Sequence, residues 1–321
     1  MSSAIPPQNH PLGAPATSTN YSNQEGIGNT GRSESRGLHG SLNGFLQQPR
    51  YYIFSNGYSG LAQHAAKEIR EMAISQDSIG NDFTVLKSWM RKFNQKLKPN
   101  ARWYFDKGQY SADTNAIREV MQRSRNAPTA IYLAGHTEVP DDQGSQELLA
   151  YVPANYLEAS NGQFNYIYYE EMRQLLFEGP HLQSGPLLFI TEVCHCDNFL
   201  RLPYVLECNG NEPQWRETKY HDGYVENSDD IVHFAATSPG ERSALFRSGA
   251  IFTRTLCDIN PSEALSLSEI IKRLSEKITE HGQRPRIYCS RKMDEAHFFK
   301  HMRFYYPWAD SSASSDSNSN A

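Results

Sequence analysis

The chain has 321 residues, a formal net charge of -5, 38% hydrophobic residues and five cysteines, none of them before Cys194. No stretch approaches the ~18 consecutive apolar residues of a membrane span, and the N-terminus lacks the basic-then-apolar pattern of a secretory signal. Few, late and odd cysteines disfavour a disulfide scaffold, and mild acidity disfavours a nucleic-acid partner, so the expectation is a cytoplasmic or nuclear protein with reduced thiols.

Residues 1–48 are rich in Ser, Asn, Gly, Pro and Gln, and residues 309–321 form a polar tail. Neither segment has enough apolar side chains to offset the entropy of ordering, so both are read as disordered. The first is either a plain extension or an arm for weak self-association of an otherwise monomeric chain. The folded part is then 49–308. Its first strand is Tyr51-Tyr52-Ile53-Phe54, closed by the turn Ser55-Asn56-Gly57. Leu61, Ala65, Ile69 and Met72 are spaced for a helix over 60–74, and a second helix fits 83–97. Arg102 to Phe105 is a short aromatic strand, and Ser111-Ala112-Asp113-Thr114 opens a helix. Thr129 to Leu133 is a strand that stops at Gly135-His136.

Leu148 to Val152 reads as a short extended piece, and Tyr168 to Phe177 as a helix. Pro186 to Thr191 is the most apolar strand and runs into Cys194. Residues 207–230 read as a polar loop. Ile231 to Ala236 is a strand, 250–257 and 267–281 are helices, and Arg286 to Cys289 is a last strand. Apolar strands alternating with helices give an α/β class with a mainly parallel sheet covered on both faces. Sites in such sheets form beyond the carboxyl ends of the strands. Two of those ends carry chemistry: His136 follows one strand and Cys194 another, 58 positions apart, enough for a crossover between parallel neighbours. A Cys–His pair is the minimum for thiol nucleophilic catalysis. On position alone, an inert buried thiol and a satisfied strand-end histidine remain an equal alternative. The pair Cys194, Cys196 is a resolving couple or, more simply, includes one small buried residue.

Leu133-Ala134-Gly135-His136, Glu192-Val193-Cys194-His195-Cys196-Asp197, Leu202-Pro203-Tyr204 and Gly249-Ala250-Ile251-Phe252-Thr253 occur in an order and spacing that resemble the caspase/metacaspase superfamily, with fungal type I metacaspase-like proteins the nearest pattern. The resemblance implies a three-layer α/β/α sandwich on a mainly parallel six-stranded sheet, with a large-subunit-like part 49–206, a linker 207–230 and a small-subunit-like part 231–308. The polar arm then resembles a prodomain. It further implies a cysteine endopeptidase acting on proteins or peptides, with Cys194 as nucleophile and His136 as general acid/base. The backbone N–H groups of Thr137 and Cys194 would bind the oxyanion. Glu192, with Asn155 as a neutral second member, would line a pocket selecting Arg or Lys before the cleaved bond.

Arg216 and Lys219 in the linker are candidate self-processing sites. No cofactor is required by the sequence. Calcium is the metal the resemblance allows, with Asp141, Asp142 and Glu147 as weak ligands. Thr137 replaces the family glycine after the histidine, and Cys196-Asp197 replaces Ser-Gly, which brings a carboxylate toward a required thiolate. The alternative is therefore a catalytically impaired scaffold or regulatory interaction module.

Overall fold

The computed structural model describes residues 48–93, 100–106, 110–140, 149–159, 164–178, 185–210, 212–224 and 230–305. The readings for 1–47 and 309–321 lie outside this set. In chain order the elements begin with β1 (Arg50–Ser55), α1 (Lys67–Arg70), α2 (Gln76–Phe93), β2 (Asn100–Tyr104), α3 (Thr114–Arg123) and β3 (Thr129–Gly135). Three short strands follow, β4 (Thr137–Glu138), β5 (Ala150–Tyr151) and β6 (Ile167–Tyr168), then α4 (Tyr169–Phe177) and β7 (Leu187–Val193). The second half holds β8 (Tyr204–Asn209), β9 (Glu212–Glu217), β10 (Ile231–Ala235), β11 (Leu245–Phe246) and β12 (Gly249–Ala250). It ends with α5 (Ile251–Asp258), α6 (Leu267–Ile278), β13 (Arg286–Cys289) and α7 (Phe298–His301).

The main sheet has the order β2-β1-β3-β7-β10-β13-β8-β9. Its first five strands are mutually parallel, and the last three are antiparallel to their neighbours. Alternation along each strand divides the core into two layers. Tyr51, Ile53, Tyr132, Ile190 and Phe234 face α2, α5, α6 and α7. Phe54, Ile131, Leu133, Phe189 and Val193 face α3 and α4. The architecture is thus an α/β/α sandwich on a mainly parallel sheet. Among the described residues, no helix is long and apolar enough to cross a membrane.

Two expectations change. The sheet has eight strands rather than six, because the stretch read as a loop from 207 folds back as the β8–β9 hairpin. Its period of two is masked by charge. Leu206 and Trp215 are paired across the hairpin and join the core side, whereas Glu207 on the other side pairs with Arg216 at 3.3 Å and Arg286 at 2.8 Å. Edge strands carry such charges on their solvent side. The helix expected over 60–74 is reduced to a 3-10 turn at Ser59–Gln63 and the single turn α1. Of its apolar positions only Leu61 is buried, so the segment gains too little from packing to hold a full helix.

Candidate active site

The β3–β7 ladder ends at the pair Gly135↔Val193, so His136 and Cys194 each emerge one residue beyond adjacent parallel strands. Neighbouring strands lie ~4.8 Å apart, which puts both side chains at one carboxyl edge of the sheet. Gly135 is required at the turn between them. Its φ is +146°, and a Cβ there would collide with the Tyr58 hydroxyl. That hydroxyl donates to the Val152 carbonyl at 2.7 Å, accepts the His136 N–H at 2.9 Å, and its ring stacks on the imidazole at 4.9 Å.

The imidazole Nε2 lies 2.7 Å from the Met72 carbonyl. A carbonyl only accepts, so Nε2 carries the proton and Nδ1 of the neutral ring is the basic nitrogen. Burial lowers the His136 pKa, partly offset by the Met72 bond and Glu138. The residual segment of the expected 60–74 helix therefore has a specific use: it delivers the carbonyl that fixes the tautomer.

Cys194 is a half-buried free thiol. Its sulfur accepts the Ser243 N–H at 3.4 Å. Burial raises its pKa; the Ser243 N–H and Arg242 oppose that, and Glu192 adds to it. Asp197, the carboxylate expected to disturb the thiolate, instead acts on Cys196 and Tyr288. Among the described residues no hydrogen bond joins His136 to Cys194; free enzymes often show loose dyads. The chain leaves Cys194 through a sharp turn in which His195, exposed, has φ +49°, and its N–H donates to the Glu241 carbonyl at 2.6 Å. Such outliers cluster at functional turns.

Both expected oxyanion donors keep their backbone N–H without a hydrogen-bond partner among the described residues. The Val152 N–H donates to the His136 carbonyl, so Thr137↔Tyr151 is a non-hydrogen-bonded pair and the Thr137 N–H points away from β5. The Thr137 hydroxyl donates to the Cys194 carbonyl at 2.5 Å and pins this strand to the Cys194 turn. Cys194 lies one residue past β7, and among the described residues its N–H has no hydrogen-bond partner, so it too is free to donate.

Glu192 is buried. Its carboxylate accepts from the Ser243 hydroxyl, from the Thr253 N–H at 2.9 Å and from the Thr253 hydroxyl at 2.8 Å. Tyr132 extends this network through a 2.8 Å contact with the Thr253 hydroxyl. Burial pushes Glu192 up to about 7, against these hydrogen bonds. Asp82, on α2, is also buried, accepts the Ala250 N–H at 2.9 Å, and is pushed up to about 7 by burial and by Glu192. Gly249 has φ +108°, and a Cβ there would collide with the Asp82 carboxylate. The segment carrying Ser243 is fixed by Gln283, whose side chain accepts the Ala244 N–H at 2.8 Å, and by Glu241, which pairs with Arg284 at 2.5 Å. Sequence reading assigned no role to Asp82, Ser243 and Gln283 and gave Thr253 only as part of a motif; Asp82 falls just before the helix expected over 83–97 but inside the observed α2.

The remaining candidates separate. Asn155 does not join Glu192. Its side chain accepts from Thr114 N–H at 3.0 Å and Thr114 hydroxyl at 2.9 Å, at the start of α3, on the opposite face of the sheet. Arg216 stands in β9, paired with Val205, and not in an open loop; Lys219 follows the strand and lies 5.1 Å from the Tyr220 ring centroid. Asp141, Asp142 and Glu147 lie outside the described residues, and no group of three metal-ligating side chains occurs among the described ones. Cys196 is a small buried residue: its sulfur contacts the Thr191 hydroxyl at 2.8 Å, and that hydroxyl contacts His233 Nε2 at 2.8 Å.

A cleft of about 370 Å³ opens beside the turn, bounded by Thr137, Glu138, Val139, Leu149, His195 and Pro239. No family model and no curated protein matches the chain. Among solved structures it is similar to caspase-1 from Spodoptera frugiperda, with 13% identity over 75% of this chain and 86% of that one, and a TM-score of 0.45.

Proposed function

We propose that the chain is a cysteine endopeptidase with Cys194 as nucleophile and His136 as general acid/base. The observation that carries this reading is the β3–β7 register, which brings a histidine of defined tautomer and a free thiol to adjacent strand ends. The His136 Nδ1 takes the thiol proton as sulfur attacks the peptide carbonyl carbon. The Thr137 N–H holds the oxyanion that forms. His136 then returns the proton to the amine nitrogen as the C–N bond breaks, and water, deprotonated by His136, hydrolyses the thioester. Because the imidazole is pushed down and the thiol up, the resting pair is neutral and the proton moves during attack.

A basic residue before the cleaved bond fits the negative field of Glu192 and Asp82. Direct pairing with Glu192 requires the Ser243 hydroxyl to turn away. The test is hydrolysis of quenched fluorogenic peptides carrying Arg, Ala or Asp at that position. Cleavage after Arg by the wild type and none by Cys194→Ala supports the reading; equal inactivity of both proteins on every peptide, with and without calcium, removes it.

The raised thiol pKa favours a second reading, a catalytically impaired interaction module on the same scaffold. Under that reading Cys194→Ala leaves partner binding intact, whereas removing residues 1–48 abolishes it.

A further inference from the structure

We infer that Tyr58 is a positioning residue for the proton transfer of the proposed reaction: the face of its ring holds the imidazole of His136 in one orientation and stabilises the charge it gains on taking the thiol proton. This rests on the peptidase reading for the use of that charge, and on local geometry for the contact itself.

Tyr58 has a left-handed backbone, with φ +52° and ψ +36°, in the turn after β1. A bulky side chain rarely adopts it, and such outliers persist only where the surroundings over-determine them. Here one carboxylate clamps the backbone on both sides. Asp106 accepts the Gly57 N–H at 2.6 Å with one oxygen and the Ser59 N–H at 2.8 Å with the other. The Gly57 carbonyl accepts the Ile74 N–H at 2.8 Å, which ties the turn to the segment whose Met72 carbonyl holds Nε2. The ring is buried, and its hydroxyl bridges the His136 N–H and the Val152 carbonyl. Both contacts of the imidazole, at its edge and on its face, therefore come from one linked unit.

The two ring centroids lie 4.9 Å apart, with 22° between the planes. A ring lying face-on does two things for an imidazole. It blocks rotation about the bond to Cβ, so Nδ1 keeps one direction while Nε2 stays on Met72. It also presents a negative π face to a cation, a contact that strengthens where water is excluded. Neutral His136 gains little from that face. The imidazolium formed as the proton passes from the Cys194 sulfur to Nδ1 gains most, which is the condition for speeding the step. The Met72 bond and Glu138 also favour the charged ring, against burial. The Tyr58 hydroxyl keeps its own proton throughout, because burial holds its pKa above the ordinary range.

The experiment replaces Tyr58 in the full chain by phenylalanine and by its mono-, di- and pentafluoro analogues, which keep the shape of the ring while draining its π face. Two readouts are taken along the series. In Cys194→Ala protein the His136 imidazole is titrated by NMR, and its midpoint should fall stepwise as fluorine is added. With Cys194 intact, kcat/KM for an Arg peptide should fall in the same order, by about tenfold from phenylalanine to the pentafluoro analogue. A merely structural ring gives a flat series, since size and contact area are kept. A midpoint that does not move overturns the inference whatever the enzyme does. So does a moving midpoint with kcat/KM constant within about twofold in a protein that cleaves. A moving midpoint in a protein that cleaves no peptide supports the Tyr58 contact and counts against the peptidase reading alone.

Discussion

Just before Cys194, β7 buries a polar cluster on each face, and the two differ in kind. On the α2 and α5 side, Glu192 is held by Ser243 and Thr253, next to Asp82, and both carboxyls are pushed up to about 7. On the α3 and α4 side, Thr191 links Cys196 to His233. Burial alone pushes His233 down to about 3, and burial, helped by Asp197 and Glu192, holds the Cys196 thiol well above its ordinary range. The second cluster is neutral across the physiological range, whereas the first changes charge within it. Among the described residues only the first reaches the Cys194 sulfur, because Ser243 gives its hydroxyl to Glu192 and its N–H to that sulfur. Burial beside the Cys194 thiol is therefore not enough to tune it; a titratable group must also share a segment with it.

The sharpest way to break this contrast is to remove each thiol. Cys194→Ala should lower kcat/KM for an Arg peptide by at least about 10³-fold, and Cys196→Ala by no more than about threefold. Comparable losses would mean the two faces do not differ in function. Next in size is Glu192→Gln, which keeps one acceptor oxygen for Thr253, offers the Ser243 hydroxyl an amide N–H to accept, and removes the charge that opposes the thiolate. The pH midpoint of Cys194 alkylation by iodoacetamide should fall, and the preference for Arg before the cleaved bond should weaken. An unmoved midpoint would detach Glu192 from the nucleophile.

Stability should separate the faces by sign. Between the ordinary carboxyl range and about 7 the folded chain keeps protons on Glu192 and Asp82 that the unfolded chain has released, so stability falls as pH rises through that window. Glu192→Gln should flatten this limb and raise stability at pH 7.5 by roughly 1–3 kcal/mol in urea melts. His233 works in the other direction. Below its ordinary 6.5 the unfolded chain gains a proton that the folded chain refuses until about 3, so its contribution is lost as pH falls. The smallest effect is that of His233→Phe: about 1 kcal/mol or less at pH 7.5, with a shallower loss of stability below pH 6. A variant that instead steepens the acid limb would place a charge at His233.

The strands of the core and the two strand ends were legible because their signals are local: apolar runs closed by Gly135-His136 and by Glu192-Val193-Cys194. Glu192 itself was legible as a residue, but its withdrawal under Ser243 and Thr253 was not, since those partners come from 51 and 61 positions away. Asn155 failed for the same reason in reverse: a short motif placed it near the pocket, while its bond to Thr114 takes it to the other side of the sheet. The β8–β9 hairpin was hidden because edge strands alternate weakly and carry charge on their open face.

The central claim is that Cys194 is a nucleophile assisted by His136. It is tested most directly by intact-mass analysis after incubation with an arginyl acyloxymethyl ketone, a reagent that alkylates a thiol only when it is seated and activated. The account predicts a single adduct mapping to Cys194, absent from Cys194→Ala and slowed at least about 100-fold in His136→Ala with the fold intact by circular dichroism. An adduct on another cysteine, or labelling of Cys194 that His136→Ala leaves at the wild-type rate, would contradict it.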